Sequence, residues 1–258
     1  TTEIYTLSLH DALPIYWGGE FFICDKERFK RLAHLNYVAL PGGEGAIREP
    51  WKIAISYLYD IFKEDYTVYV PKHLQEKKHQ IITEIIKKDI NSPKASSIGR
   101  LFDAVAALLG FDAKITFQGE AAIDLENLCC RDDQSFYQYN ISLEDGIYII
   151  DCKPLIKSVV IEVIDGIDKE LIARRFHNTI IKFTIEVCEI LRKEYNLSSV
   201  VLSGGVFQNE ILLISIYEEL IKKDFKVYIH EQIPANDEGI SIGQMIIGNE
   251  ILKKELVF

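Results

Sequence analysis

Two adjacent glycines, Gly204 and Gly205, interrupt an apolar run near the end of the chain. The run is Val200-Val-Leu-Ser-Gly-Gly-Val-Phe-Gln-Asn209, and its β-branched start followed by a helix-like restart predicts a strand, a tight turn and a helix. Glycine has no Cβ, so this turn can adopt positive φ and a ligand can touch its backbone. The following helix would point free N–H groups at that ligand. The segment therefore predicts a nucleotide or phosphate site.

Asp103 is the one charged residue on the small face of a predicted helix, Ile98 to Gly110. That face otherwise carries only small residues: Gly99, Ala106, Ala107 and Gly110. Their helical spacing lets another backbone or a ligand approach closely, and Asp103 could accept hydrogen bonds from a ribose hydroxyl. Spacing alone leaves a second interpretation equally open, which is close helix packing with a solvated Asp103.

Two other segments place single residues at the start of predicted helices. Gly119 opens one helix, where it could mark the close approach of a base, while Glu120 and Asp124 are ordinary partners of the helix dipole. Asp237 precedes the last helix, where it is either an N-cap or one hard oxygen ligand for a divalent ion. A single carboxylate does not choose between these two roles.

The composition excludes some classes of ligand and location. The chain has 258 residues, 48% of them hydrophobic, which is enough for one large or two small domains with real cores. Its 29 Lys and Arg against 39 Asp and Glu give a net charge of -10, which argues against nucleic acid as the main ligand. The five cysteines contain no Cys-x-x-Cys pair, a pattern typical of reduced thiols. No stretch approaches the roughly 20 apolar residues that span a bilayer, so we expect a cytoplasmic protein without a membrane partner.

The order of the predicted elements indicates an α/β protein. From Ser199 onward the chain alternates strand, helix, strand and helix, which implies a parallel pair of strands. Upstream, the pattern predicts two short strands within 136–150 and helices at 72–89 and 168–195. His177, in the second of these helices, is expected to be a structural, hydrogen-bonded histidine.

The first fifteen residues, Thr1 to Ile15, show neither a helical nor a strand period. They resemble translated sequencing-adapter read-through, so we expect residues 1–15 to be non-native and the domain proper to cover residues 16–258. No functional residue is assigned to this segment.

Six motifs in a fixed order resemble the C-terminal carbamoyl-transfer domain of HypF, the family of carbamoyltransferases that mature nickel–iron hydrogenases. They cover nearly all of the chain from Tyr16 onward: Trp17-Gly-Gly-Glu20, Leu40-Pro-Gly-Gly-Glu-Gly-Ala-Ile-Arg-Glu-Pro-Trp51, Ser96-Ser-Ile-Gly-Arg-Leu-Phe-Asp-Ala-Val-Ala-Ala-Leu-Leu-Gly110, Gln118-Gly-Glu-Ala-Ala122, Leu202-Ser-Gly-Gly-Val-Phe-Gln-Asn209 and Asn236-Asp-Glu-Gly239. The second and third motifs are the most specific.

The resemblance implies an α/β fold of the actin-like, sugar-kinase-like type, related to the TsaD family. Such folds have two lobes with a nucleotide in the cleft between them, and the first lobe would be incomplete in this chain. Five residues would then line the nucleotide and one would hold a metal: Asp103 at the ribose, Gly119 beside the base, Gly204 and Gly205 as the adenosine or phosphate loop, Asn209 at the adenosine, and Asp237 as the metal ligand.

The resemblance also implies the chemistry. Family members use carbamoyl phosphate and ATP to form carbamoyl adenylate, and they pass the carbamoyl group to the C-terminal cysteine of HypE, the source of the hydrogenase cyanide ligands. A divalent metal (iron, zinc or magnesium) would be held by Asp237 with histidines of a motif that the family carries upstream of Trp17. That motif and the first phosphate loop are not among these residues, so we expect the chain alone to be inactive or weakly active.

Two other functions stay open from the sequence. One is a TsaD-like enzyme or an O-carbamoyltransferase with another acceptor, although the Arg48-Glu-Pro-Trp51 segment argues against it. The other is a non-catalytic, actin-like nucleotide-binding protein.

Overall fold

A computed structural model of the chain describes residues 3–7, 17–26, 28–112, 114–129 and 132–255. Its strands are β1 (Glu3–Leu7), β2 (Glu20–Cys24), β3 (Phe29–Leu35), β4 (Val38–Ala39), β5 (Lys94–Ala95), β6 (Asn140–Glu144), β7 (Ile147–Asp151), β8 (Ser199–Leu202) and β9 (Lys226–Tyr228). Its helices are α1 (Glu44–Ile47), α2 (Trp51–Phe62), α3 (His79–Lys87), α4 (Ile98–Leu108), α5 (Glu120–Leu128), α6 (Lys153–Ile164), α7 (Lys169–Tyr195), α8 (Glu210–Lys222) and α9 (Ile240–Glu255). Short 3₁₀ turns lie at Lys63–Tyr69, Lys72–Leu74, Gly205–Gln208 and Asp237–Gly239. None of the described helices has the length and apolar character of a bilayer-spanning segment.

The strands of the described chain form one seven-stranded sheet and one two-stranded sheet. The order in the larger sheet is β6-β7-β3-β2-β1-β8-β9, and β4 pairs with β5. β1, β8 and β9 run parallel, which confirms the parallel pair predicted at the end of the chain, whereas β2 is antiparallel to both of its neighbours. Parallel neighbours need a crossover connection, and α8 supplies the one between β8 and β9. The carboxyl ends of β8 and β9 therefore lie at the same edge of the sheet.

The main hydrophobic core includes buried residues of α2, α4, α6 and α7. α4 is buried almost throughout, since every residue from Leu101 to Leu108 is at most 4% exposed. It contacts α2, α5 and α6. The small face of α4 is therefore largely packed as well, since Ala106 and Ala107 are fully buried, whereas Gly110 just after the helix is exposed.

Of two further predicted elements, one is confirmed by the structure and the other is shorter than predicted. The strands expected within 136–150 form the hairpin β6–β7, which confirms that prediction. The helix expected over 72–89 is shorter, because α3 begins only at His79. Leu74 is fully buried while its neighbours on both sides are exposed, so the chain turns this side chain toward the core in a separate 3₁₀ turn.

The N-terminal segment that was expected to be non-native contributes β1. Residues 3–7 pair antiparallel with β2 and parallel with β8, while residues 1–2 and 8–15 lie outside the described residues. Strand pairing does not reveal where the segment comes from, so its non-native origin stays a prediction.

The glycines of the Trp17-Gly-Gly-Glu20 motif let two chain segments pass in close contact. A Cβ on Gly19 would lie only 2.7 Å from the carbonyl oxygen of Ser96, a distance that a side chain at this position could not keep. The N–H group of Ile98 donates to the carbonyl oxygen of Gly18 at 3.3 Å. These contacts hold the start of α4 against the start of β2.

Glu20 is the centre of a buried polar network beside these glycines. Its carboxylate accepts a hydrogen bond from the Ser96 hydroxyl at 2.5 Å and pairs with the Arg31 guanidinium. Arg31 also donates to the Tyr37 hydroxyl at 2.8 Å and lies 4.4 Å from the ring centre of Trp17. Burial raises the pKa of Glu20, while Arg31 and Ser96 act in the opposite direction. The network joins β2, β3 and the start of α4.

Replacing Glu20 tests this network. Glu20→Gln keeps the shape but leaves the Arg31 side chain, which is 13% exposed, without its counter-charge. We expect a loss of about 3 kcal/mol in the free energy of unfolding, measured by urea denaturation at neutral pH. The control is Glu84→Gln, since Glu84 is 56% exposed and forms only surface ion pairs with Lys87 and Lys88. That change should cost less than about 1 kcal/mol, and equal losses for the two variants would contradict the assigned role of Glu20.

Candidate functional site

The Gly-Gly turn lies directly after β8, at the carboxyl edge of the sheet. The chain passes from β8 into the 3₁₀ turn Gly205–Gln208 and then into α8, which confirms the predicted strand, turn and helix with one extra short turn. Gly204 has φ of 108° and ψ of 159°, a conformation open almost only to glycine. Gly205 lies outside the positive-φ region, and a Cβ there would meet only the Gln208 side chain, at 3.9 Å. The expectation of positive φ therefore holds for Gly204 but not for Gly205.

The first N–H groups of α8 are largely bonded to protein. Asn209 Oδ1 accepts a hydrogen bond from the Leu212 N–H at 2.9 Å, and Glu126 Oε1 of α5 accepts one from the Glu210 N–H at 2.6 Å. The Glu126 carboxylate occupies the positive end of the helix dipole, where an anionic ligand would otherwise bind. The expectation that the start of α8 offers free N–H groups to a ligand is therefore wrong at these two positions.

Unbonded N–H groups lie one turn earlier. In the described part of the chain, no hydrogen bond uses the N–H groups of Gly205 and Val206, whereas the Phe207 N–H donates to the Gly204 carbonyl oxygen at 3.0 Å. A ligand at the Gly-Gly turn would thus meet backbone donors of the 3₁₀ turn rather than those of α8.

His177 of α7 is fully buried and joins three neighbouring elements. Its Nε2 lies 3.1 Å from Asn209 Nδ2 at the start of α8, and its Nδ1 lies 3.0 Å from Cys129 Sγ, just after α5. Its ring centre is 5.3 Å from that of Phe102 on α4. Three elements that carry predicted nucleotide residues therefore meet at this one imidazole.

The hydrogen bonds around His177 determine which ring nitrogen carries the proton. Asn209 Oδ1 accepts from Leu212, so Asn209 Nδ2 is the donor and His177 Nε2 must be the acceptor. The proton then sits on Nδ1, which donates to the Ala173 carbonyl oxygen at 2.8 Å. Burial lowers the pKa of His177 to about 4, so the ring is neutral near pH 7. The prediction of a structural, hydrogen-bonded histidine is confirmed.

Asp103 is buried rather than solvated, so the second interpretation of its helix face is wrong about solvation, although the close helix packing that it expected is present. The residue is 4% exposed, and its Oδ2 lies 3.1 Å from Arg100 Nε. This contact is an ion pair without hydrogen-bond geometry, and Asp103 Oδ2 and Arg100 Nη1 are both buried without a hydrogen-bond partner among the described residues. Burial raises the pKa of Asp103 to about 6, although Arg100 acts to lower it. A buried carboxylate with a strongly raised pKa is typical of functional sites.

Gly119 precedes α5 in a left-handed conformation with φ of 86°. A Cβ built there would meet no atom within 4 Å, so the backbone is open to an approaching ligand. The next residue, Glu120, accepts hydrogen bonds from the N–H and hydroxyl groups of Thr116, and the backbone bond is the main reason that its pKa is lowered. Glu120 therefore acts at its own helix start, as expected.

Asp237 is the exposed first residue of a 3₁₀ turn. The capping role belongs to Asn236, whose side chain accepts from the Glu238 N–H at 3.2 Å, so the interpretation of Asp237 as an N-cap is wrong. In the described part of the chain, no group of three or more His, Cys, Asp or Glu residues is arranged to hold a metal ion. These residues therefore do not fit a complete metal site, and Asp237 would need ligands from outside them.

The predicted site residues gather around the Gly-Gly turn to different degrees. The Gly204 N–H donates to the Ala235 carbonyl oxygen at 2.9 Å, which ties the segment before Asp237 to the turn. A narrow crevice of about 50 Å³ runs from Gly18 and Gly19 to Ser203 and Val206, so the two glycine motifs face each other. Asp103 and Gly119 are linked to this region only through other residues of their helices: Phe102 contacts the His177 ring, and Glu126, near the far end of α5, bonds Glu210.

Sequence reasoning missed the contacts that hold this site together. The Glu126 cap of α8 joins residues 84 positions apart, and the His177 bond to Asn209 joins residues 32 apart. A second pair, Ser203 and His230, meets at the carboxyl edge with 2.8 Å between Oγ and Nε2. Spacing along the chain carries no signal for such pairs, although the position of Asn209 before an apolar helix could have marked it as a capping residue.

A comparison with known protein families gives a match over residues 15–244, to the family described as carbamoyltransferase, Kae1-like domain, second subdomain. The chain belongs to this family. Its resemblance to the HypF carbamoyltransferases is therefore confirmed over most of its length.

HypF proteins are also the individual relatives that the chain resembles. Carbamoyltransferase HypF of Synechocystis sp. is 30% identical over 246 residues, which are 89% of this chain and 31% of the relative. The probable carbamoyltransferase HypF of Methanocaldococcus jannaschii is 28% identical, over 88% of this chain and 30% of the relative. A crystal structure of full-length HypF in the phosphate- and nucleotide-bound form superposes with a TM-score of 0.90 at 36% identity, covering 98% of this chain and 40% of that one. The chain thus spans only part of the length of its relatives.

The buried carboxyl of Asp103 predicts a pH dependence of stability. Its folded pKa of about 6 lies above the value of about 3.9 for an unfolded aspartate, so the unfolded chain releases this proton first as the pH rises. The stability of the parent relative to Asp103→Asn should therefore fall between about pH 4 and about pH 7, by roughly 2 to 3 kcal/mol. Urea denaturation of both proteins across this range measures the difference, and a difference independent of pH would contradict the assignment.

Proposed function

We propose that this chain is the adenosine-binding part of a HypF-type carbamoyltransferase. The observation that carries the proposal is the turn after β8, where Gly204 has a glycine-only conformation and the N–H groups of Gly205 and Val206 have no acceptor among the described residues. Ligands of open α/β sheets bind at the carboxyl ends of the strands, which is where this turn lies. The family membership and the likeness to a HypF structure solved with phosphate and nucleotide support the same ligand class.

The proposed ligand is ATP or carbamoyl adenylate, in the cleft of a two-lobed, actin-like fold. Its phosphate would meet the backbone donors of Gly205 and Val206. Its base would lie beside Gly119, because a Cβ built on this glycine meets no atom within 4 Å and a ligand can therefore approach the backbone. A ribose hydroxyl would donate to Asp103 Oδ2 and so satisfy an oxygen that is buried without a hydrogen-bond partner among the described residues.

Asn209 would contribute to adenosine binding by fixing the position of the Gly-Gly turn. Its amide oxygen accepts from Leu212 and its amide nitrogen donates to His177, so both ends of the side chain are bonded to protein. Breaking either bond would leave a buried polar group unsatisfied, which costs about 1 to 3 kcal/mol. A nucleotide would therefore bind against a turn whose position Asn209 already fixes.

The proposed reaction is carbamoyl transfer of the kind for which the HypF relatives are named. Carbamoyl phosphate and ATP would yield carbamoyl adenylate, and the carbamoyl group would pass to the C-terminal cysteine of HypE in the cytoplasm. The relatives are much longer than this chain, so we propose that it supplies the adenosine side and that efficient turnover needs the other parts of such a protein.

A divalent metal of the iron, zinc or magnesium type belongs to the same proposal. Asp237 is exposed and its segment is tied to Gly204 through Ala235, so one carboxylate ligand would stand near the Gly-Gly turn. The remaining ligands would come from outside the described residues. When bound, such an ion would neutralise phosphate charge.

Calorimetric titration of ADP into the folded chain tests the proposed site. We expect a measurable heat at millimolar ADP and a loss of affinity of at least about tenfold in Gly205→Val, because a branched side chain would cover the backbone donors. The free energy of unfolding of this variant should change by less than about 1 kcal/mol, since a Cβ at Gly205 would meet only the Gln208 side chain, at an ordinary van der Waals distance of 3.9 Å.

Gly204→Ala provides the matched comparison for that experiment. Gly204 has φ of 108°, so this variant should lose roughly 1 to 3 kcal/mol of stability through backbone strain. Absence of any ADP heat with the folded parent, or equal affinity of the parent and Gly205→Val, would contradict the proposed nucleotide site.

A further inference from the structure

Ser203 and His230 form a hydrogen-bonded pair at the carboxyl edge of the sheet. Ser203 follows β8 directly, and His230 lies two residues after β9. Because β8 and β9 are parallel neighbours, their ends meet, and Ser203 Oγ lies 2.8 Å from His230 Nε2. The pair therefore stands immediately before Gly204, where we have placed the nucleotide.

The loop after β9 has an anchor besides this pair. The backbone bond from Gly204 to Ala235 already anchors the segment that follows His230. A solvent-exposed hydrogen bond such as that of Ser203 and His230 contributes only about 1 kcal/mol. Its position between two openings is more informative: Ser203 lines the crevice that reaches Gly18 and Gly19, while His230 lines a cavity of about 350 Å³.

His230 differs from the other histidine of this region in the use of its ring nitrogens. Both nitrogens of His177 are bonded inside the core. His230 uses only Nε2, and no described residue forms a hydrogen bond with its Nδ1. If Nε2–H donates to Ser203 Oγ, the lone pair of Nδ1 is available to accept a proton. The side chain of Glu231 lines the same cavity, so a carboxylate borders the opening beside His230.

Any carbamoyl acceptor must lose one proton during transfer. A nucleophile X–H attacks the carbonyl carbon, the X–C bond forms, and the bond from that carbon to the phosphate oxygen breaks with its electron pair leaving on the nucleotide. The proton of X–H needs a base, and an imidazole serves this purpose near neutral pH. We propose that His230 Nδ1 accepts this proton and that Ser203 is the positioning residue that fixes the ring tautomer. The inference rests on the proposed function of the same site.

Nuclear magnetic resonance of the full chain tests both the tautomer of His230 and its proximity to the bound nucleotide. Long-range ¹H–¹⁵N spectra should show His230 as the Nε2–H tautomer at a pH where the ring is neutral, and Ser203→Ala should shift it toward a mixture of tautomers. ADP should move the His230 ring signals while leaving those of His79 in place. His79 is the matched control because its ring also pairs with a hydroxyl, that of Tyr66 at 3.0 Å, but on α3.

A transfer assay on the same chain gives the second readout. Carbamoyl adenylate is the donor and hydroxylamine the probe acceptor, and the hydroxyurea formed above the uncatalysed background is measured. His230→Gln should lower this rate at least about tenfold with ADP affinity and thermal midpoint unchanged, imidazole should restore part of it, and His79→Gln should match the parent. If the parent shows no rate above background, the spectra decide alone.

The outcomes separate this inference from the proposed function. An Nδ1–H tautomer at His230, ring signals that ADP leaves unmoved although calorimetry shows binding, or full transfer by His230→Gln would each overturn the role of His230 alone. Absence of ADP binding to the folded parent would overturn the nucleotide site and the inference with it.

Discussion

The hydrogen bond between His177 and Asn209 is the constraint on which the candidate site depends. Asn209 ends the 3₁₀ turn and caps α8, so its position determines that of the Gly-Gly turn five residues before it. His177 is fully buried in the middle of the longest helix, and its other nitrogen is held by Ala173. A buried polar group that loses its partner costs about 1 to 3 kcal/mol. The imidazole of His177 therefore connects the candidate site to the rigid core and fixes its position.

A second constraint concerns electrostatics at the start of α8. The Glu126 carboxylate takes the place of an anionic ligand there, and the available backbone donors shift to Gly205 and Val206. A phosphate next to Glu126 would be repelled by its carboxylate. A phosphate at the 3₁₀ turn would instead meet backbone N–H donors without displacing a hydrogen bond within the described part of the protein. On the facing wall of the crevice, the Glu20 network fixes the Trp17-Gly-Gly-Glu20 motif against the start of α4. The motif thus has a structural explanation that is independent of any ligand.

The features that could be predicted from the sequence are those that depend on the local pattern of residues. The strand, turn and helix around Gly204, the hairpin β6–β7, the parallel pair β8–β9 and the structural role of His177 follow from periodicity and residue type. The burial of Asp103, the Glu126 cap and the Ser203–His230 pair do not, because they depend on which helices and strand ends meet in space. The sequence also did not identify Asn236 as the cap of the turn at Asp237–Gly239, since Asn236 and Asp237 are both capping residue types and only the backbone of the preceding loop selects between them.

The measurement that tests this account most directly is a crystal structure of the chain with ADP. We predict that the diphosphate lies within hydrogen-bond distance of the Gly205 and Val206 N–H groups while the bond from Asn209 to His177 is retained. The base should lie on the side of Gly119. A nucleotide bound elsewhere with the Gly-Gly turn empty, or bound here only after Asn209 has left His177, would contradict the account.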